Sequence, residues 1–180
     1  AVVLIGCTFI PLIGRSSTTT QTVVPTATAI PTFPPPPSAS ELDFSTLYLH
    51  PTNIFAIGQP TGFEQASPTS NVNLAQVNMV NNSTLSVIDA FVQDPQESVT
   101  TEGLTGFFTA DVLDRTWDFF STWTESSRTA DATGLTIDFA VTLQQQQYAA
   151  RQRAWTDGTW IYSVRVLTPS NATDYLRALL

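Results

Sequence analysis

The chain has 180 residues, a formal charge of −8 and no lysine, and only 12% of its residues are charged. Seven arginines against fifteen carboxylates make an acidic protein that nucleic-acid phosphate and anionic headgroups repel, which excludes a phosphate-tracking function. A single cysteine, Cys7, and a single histidine, His50, exclude an internal disulfide and leave little from which to build a metal site.

Cys7 directly follows the apolar run Leu4-Ile5 and the small residue Gly6. Three roles are open to it: an inert member of a buried strand, a reactive thiol, or the target of a covalent modification. The next segment discriminates. Residues 14–40, GRSSTTTQTVVPTATAIPTFPPPPSAS, are mostly Thr, Ser, Pro and Ala. They carry too little apolar surface to offset the entropy of ordering them, and the run Pro34 to Pro37 favours an extended, semi-rigid spacer. A strand before residue 14 would have to reach a core across that stretch, which argues against burial. LIGC resembles the lipobox of bacterial lipoproteins: a branched apolar residue, a tolerant position, Gly or Ala, then Cys. The resemblance implies cleavage between Gly6 and Cys7 and a diacylglycerol on Cys7. Residues 1–6 are then the remnant of a signal peptide, and 7–40 the lipid anchor and disordered linker. The apolar TFIPLI after Cys7 is shorter than the about 20 residues a membrane span needs.

Residues 41–180 hold six arginines and all fifteen carboxylates, a charge of −9, over a single-domain length. Short apolar runs at Leu47–Leu49 and Ile54–Ile57 read as two short strands or one broken strand. Residues 72–80 alternate and predict a strand, Asn81-Asn82 a hairpin turn, and TLSVIDAFVQD its partner. A helix is predicted over 109–125. Thr109 is its cap, Leu113, Trp117 and Phe120 its apolar face, and Asp111, Asp114 and Asp118 its opposite side. GLTIDFAVTL alternates strictly as a half-buried strand. Two strand-like runs flank Asp157-Gly158, read as a two-residue turn that would set Arg153 opposite Tyr162 and Trp155 opposite Trp160. A short helix capped by Ser170 or Asn171 closes the chain. Strands, a helix, three strands and a helix make an α+β domain with an antiparallel sheet.

This order, with Pro60-x-Gly62-Phe63, Arg151, Arg153 and the Asp157-Gly158-x-x-x-Tyr162 hairpin, resembles the PsbP-like and DcrB-like family of extracytoplasmic proteins over residues 44–180. Phe63 stands where the family usually has Trp. The resemblance implies an α/β/α sandwich with helices on both faces of the sheet. It also implies a mostly non-catalytic role in binding, assembly or envelope stability.

Candidate chemistry is sparse. His50 has no nucleophile or acid partner in a recognisable pattern and reads as a partly exposed loop residue. Asp111, Asp114 and Asp118 on one helix face do not converge on a calcium sphere; Arg115, four residues after Asp111, has salt-bridge spacing, and the face reads as solvated. Arg151 and Arg153 share one side of a strand. With Trp155, Trp160 and Tyr162 they form the candidate ligand or partner face, alongside a structural alternative of arginine stems packed over aromatics with Asp138 as partner. Gln144 to Gln147 read as an exposed turn or strand extension.

The expectation is a lipid-anchored, extracytoplasmic, non-enzymatic module of a bacterial cell envelope. It is held to the membrane through Cys7, needs no cofactor, metal or nucleic acid, and binds an unknown envelope protein or ligand. One alternative is a small-molecule-binding or hydrolytic domain with a pocket beneath the aromatic helix, near Trp117, Phe120 and Trp155. Another, resting on the PsbP resemblance alone, is a photosystem-associated extrinsic protein.

Overall fold

Strict alternation of apolar and polar residues from Leu135 to Leu143 demands a sheet with one buried face, and the rest of the domain is arranged around it. The computed structural model describes residues 38–65 and 68–180. Cys7, the lipobox and the linker up to residue 37 lie outside the described residues. A 3-10 turn at Ala39–Glu41 is closed by a capping box between Ser38 and Glu41. Strands β1 (Thr46–Leu49) and β2 (Ala56–Gln59) then form a two-stranded sheet of their own. Two short strands, β3 (Glu64–Gln65) and β4 (Thr69–Asn71), both pair with β5 (Leu74–Asn81), which turns into β6 (Ser86–Gln93). Helices α1 (Leu104–Phe107) and α2 (Ala110–Trp117) precede a meander of β7 (Thr122–Asp131), β8 (Gly134–Leu143), β9 (Gln146–Thr156) and β10 (Ile161–Pro169). Helix α3 (Thr173–Ala178) follows.

The main sheet is antiparallel, ordered β3-β5-β6-β10-β9-β8-β7, with β4 also on β5. Strand β10 therefore closes the meander back onto β6, and the fold is a mixed α+β domain built mainly of antiparallel sheet. Successive strand residues point to opposite faces, so two apolar sets emerge. Leu135, Ile137, Phe139 and Val141 of β8 pack with Leu104 and Phe108 from the α1 region and Leu113 and Trp117 of α2. The opposite parity supplies a second cluster, in which Val77, Met79, Ile88 and Val166 meet Tyr48, Phe63, Tyr175 and Leu176. Leu113 and Trp117 are 1% and 2% exposed; burying such side chains stabilises by about 2–3 kcal/mol each.

Thr109 caps α2 as the sequence indicates, its hydroxyl accepting from the Val112 amide. The helix stops at Trp117, however, and does not run to 125. Phe120 N–H closes a turn onto the Trp117 carbonyl, Ser121 N–H joins Thr142, and from Thr122 the chain is strand. The meander accordingly has four strands, not three. The missed strand is polar, and a bulge between Glu125 and Ser127 breaks its alternation.

Two turns and one helix cap also differ from expectation. Asn81 is the last residue of β5, paired with Ser86, and the hairpin loop is 82–85. Asp157-Gly158 belongs to a four-residue connection, because Thr156 pairs with Ile161. Asp157 organises it by accepting from the Thr159 and Trp160 amides. The cap of α3 is Ala172, without a side-chain bond, in place of Ser170 or Asn171.

Candidate functional site

The register of β9 on β10 decides what the sequence-predicted face looks like. Tyr162 stands opposite Trp155, and Arg153 opposite Val164. The anticipated pairs of Arg153 with Tyr162 and of Trp155 with Trp160 are therefore not formed, because the connection is two residues longer than a tight turn. Trp160 sits in that connection, its carbonyl accepting from the Thr156 hydroxyl. Trp155 and Tyr162 stack with ring centroids 5.7 Å apart and planes inclined by 10°. The Tyr162 hydroxyl donates to Asp157 at 2.9 Å, which holds the ring in place.

Arg151 and Arg153 share this face, and both are engaged within the protein. Arg151 donates from Nε and Nη2 to the two oxygens of Asp138, at 2.6 and 3.0 Å. These hydrogen bonds, with a further one from Ser127, hold the Asp138 carboxyl below its ordinary range. Arg153 grips both oxygens of Asp131 at 2.9 Å, together with the hydroxyls of Thr136 and Thr133. Asp131 is held well below the usual carboxylate range by Arg153 first, and then by Thr133. The Asp138 partner proposed from sequence is the one Arg151 takes.

Next to the stacked rings lies a cleft of about 500 Å³, walled by Ile54, Phe55 and Ile57 on one side and Val92, Trp155 and Tyr162 on the other. Ile54 and Trp155 are 44% and 39% exposed. A smaller hollow of about 220 Å³ continues past Gly58 and Trp155 to Arg153 and Leu179. The β1–β2 hairpin that forms the outer wall is fastened by His50. This histidine is 1% exposed, a correction to its reading as a partly exposed loop residue. Its Nδ1 bonds the Thr52 hydroxyl at 2.7 Å, Nε2 reaches the Gln76 carbonyl at 3.2 Å, and its ring stacks on Phe55. It ties the hairpin to β5.

The opposite face of the sheet holds a polar centre that sequence reasoning missed. Arg165 of β10 and Asp89 of β6 are cross-strand neighbours, joined by Nη1 to Oδ2 at 3.3 Å, with side chains only 14% and 12% exposed. The guanidinium lies over the rings of Trp117, at 4.8 Å, and Phe91, at 5.2 Å. Gln76 donates to Asp89 at 2.7 Å, and Gln152 accepts from Arg165 Nε at 3.3 Å. Burial raises the Asp89 carboxyl, opposed by Arg165 and Gln76, and lowers Arg165. The available signal was a lone Asp inside SVIDAFV and a lone Arg inside YSVRVL: opposite charges at the centres of two apolar strands.

Trp117 and Phe120 line a cleft of about 310 Å³ beside this pair, bordered by Asp89 and Arg165. Trp155 lies on the other face, so the expected grouping of Trp117, Phe120 and Trp155 is not formed. Asp114 accepts from Trp123 Nε1 at 2.9 Å. Arg115 donates to the Asp111 backbone carbonyl, and not to its carboxylate. Among the described residues no group of three or more His, Cys, Asp or Glu is placed to hold a metal ion, and no helix is long and apolar enough to cross a membrane.

No protein-family model matches the chain, and a search of curated proteins found no match.

Proposed function

We propose that residues 41–180 form a non-enzymatic binding module, tethered at a bacterial cell envelope by lipid on Cys7, and that the Trp155–Tyr162 face receives an apolar surface of its partner or ligand. The observation that carries the reading is the stacked, part-exposed Trp155–Tyr162 pair lining an apolar cleft of about 500 Å³. Flat aromatic side chains held rigidly at a cleft bury large area at little entropic cost, which is the usual make-up of binding hot spots. The bidentate ion pairs of Arg151 and Arg153 brace the platform on one side, and the His50-anchored hairpin walls it on the other. The finer fold assignment belongs to the same reading: an α/β/α sandwich of the PsbP-like kind, with α1 and α2 over one apolar cluster and α3 over the other.

Two measurements test it. Intact mass and detergent-phase partitioning of native protein, with Cys7→Ser alongside, check the anchor: wild type carries diacylglycerol and follows the membrane, and the variant does neither. Titration with the uncharged dye N-phenyl-1-naphthylamine checks the face: wild type binds saturably, and Trp155→Ala loses at least fivefold in affinity, about 1 kcal/mol. An unmodified Cys7 removes the anchor. Unchanged dye binding removes the face.

A further inference from the structure

We propose that the trough above Asp89 and Arg165 is a second binding site, for a small organic anion: a carboxylate carried on a flat apolar body. It lies across the sheet from Trp155 and does not depend on the reading given above.

The trough exists because α2 covers only part of its face of the sheet. On β5 the burial alternates strictly: Ala75, Val77, Met79 and Asn81 are buried, whereas Leu74, Gln76, Asn78 and Val80 are half-buried. The second row shares its face with Asp89, Phe91 and Arg165. Two clefts open there, of about 310 and 340 Å³, and Asp89 and Arg165 line both. Phe119 and Phe120 wall the first, and Arg115 and Thr116 the second.

The chemistry of Arg165 selects the ligand. Its cationic plane is flanked by Trp117 and Phe91, which leaves the in-plane N–H edges as its hydrogen-bonding positions. Of the five N–H donors on a guanidinium, Nε and one on Nη1 are used, each at 3.3 Å. Nη2 has no partner among the described residues. Arg165 with Asp89 is a single, long contact where bidentate geometry is the stronger form. Such a pair repays its desolvation poorly. Two further donors, both shielded from solvent, lack partners near this pair: Nε2 of Gln152, whose Oε1 holds Arg165, and Nε1 of Trp117, a residue whose ring lies against Arg165. With Arg115 and Arg165 against Asp89, the second cleft carries one surplus positive charge on a chain of charge −8. Unused, fork-shaped donors beside a charge surplus fit a carboxylate. Phe119, 75% exposed at the trough's other end, offers a surface for a flat apolar group.

The test is an NMR titration of the full chain with 4-phenylbutyrate and its neutral counterpart 4-phenylbutanol, in moderate salt. The acid is expected to shift the Asn78, Asp89 and Arg165 amides saturably and to bind at least about tenfold tighter than the alcohol. Phe119→Ala, at an exposed position, is expected to weaken both severalfold. Arg165→Lys, which keeps the charge and loses the fork, is expected to shrink the preference for the acid below about threefold. Equal binding of acid and alcohol overturns the proposal, as does the absence of saturable shifts in the trough or shifts confined to the surroundings of Trp155. The wild-type comparison decides even where Arg165→Lys fails to fold.

Discussion

Trp155 and Tyr162 face each other across β9 and β10, nearly parallel at 5.7 Å between ring centroids. One ring is on each strand of the hairpin, so the stack fastens the two strands near their connection as well as shaping the cleft. Cross-strand aromatic pairs couple by about 0.5–1.5 kcal/mol beyond the area they bury. A double-mutant cycle of Trp155→Ala and Tyr162→Ala, read by urea unfolding, is expected to give a coupling of about 1 kcal/mol. Strict additivity would show that the rings are neighbours without being partners.

The Asp89–Arg165 pair predicts a sharp asymmetry. Arg165→Met leaves a carboxylate uncompensated in the interior and is expected to cost about 3–5 kcal/mol. Adding Asp89→Leu to Arg165→Met is expected to recover most of that loss, because the pair's desolvation penalty disappears with it. Chemical denaturation of the single and double variants measures both. A double variant no better than the single one would mean that the pair contributes net stability.

Acid sensitivity follows from carboxylates whose folded-state affinity for protons is altered. The Asp138 carboxyl is lowered, chiefly by hydrogen bonds from Arg151. A lowered group contributes stability that is present above its unfolded pKa, about 3.9, and that is lost as pH falls through the folded value. Asp138→Asn is expected to cost about 1 kcal/mol near neutrality and to flatten the fall in stability below about pH 4. Asp89 is raised and acts with the opposite sign: its contribution is full below the unfolded pKa and is lost as pH rises through the folded one. A pH series of denaturation midpoints for wild type and Asp138→Asn checks the slope.

The β8–β9 connection offers a stabilising change. Leu143 pairs with Gln146, leaving Gln144 and Gln145 as the two central residues, with φ of 50° and 67°. Both are left-handed, the geometry for which Asn-Gly is the favoured sequence. Gln144→Asn with Gln145→Gly is expected to raise stability by about 1 kcal/mol, seen as a higher denaturation midpoint at unchanged m-value.

Long, regular signals were readable in the sequence, and compensated ones were not. Leu135 to Val141 alternate without interruption and form β8 as predicted, and Thr109 caps α2 where its position indicates. The helical pattern outruns the helix because Phe119 and Phe120 continue an apolar spacing that the backbone abandons at Trp117. Strand β7 lacks a strand signal because its inward face carries the half-buried Trp123, Glu125 and Arg128 instead of a run of aliphatics. That arginine is satisfied by the Glu125 carboxylate and by the carbonyls of Thr105 and Phe108. Arg151 and Arg153 were legible as a pair on one face. Their reach to Asp138 and Asp131 depends on β8 and β7 lying alongside, as does the joining of Asp89 to Arg165, 76 positions apart. Periodicity within a segment reports which face is buried; it carries no record of which strand will be the neighbour.

Among the described residues strand β7 ends the sheet, and its ten residues leave a row of backbone donors and acceptors with no further strand of those residues beside them. Such an edge is a template on which a second molecule can add a strand, and long, flat, apolar edges are where proteins coalesce. Here the bulge at Glu125–Ser127 bends the edge, and the ionic Arg128–Glu125 pair occupies its centre. Serine and threonine fill most of the remaining positions. The same irregularity that breaks the alternation of β7 makes this edge a poor seed for strand addition by a second copy of the domain.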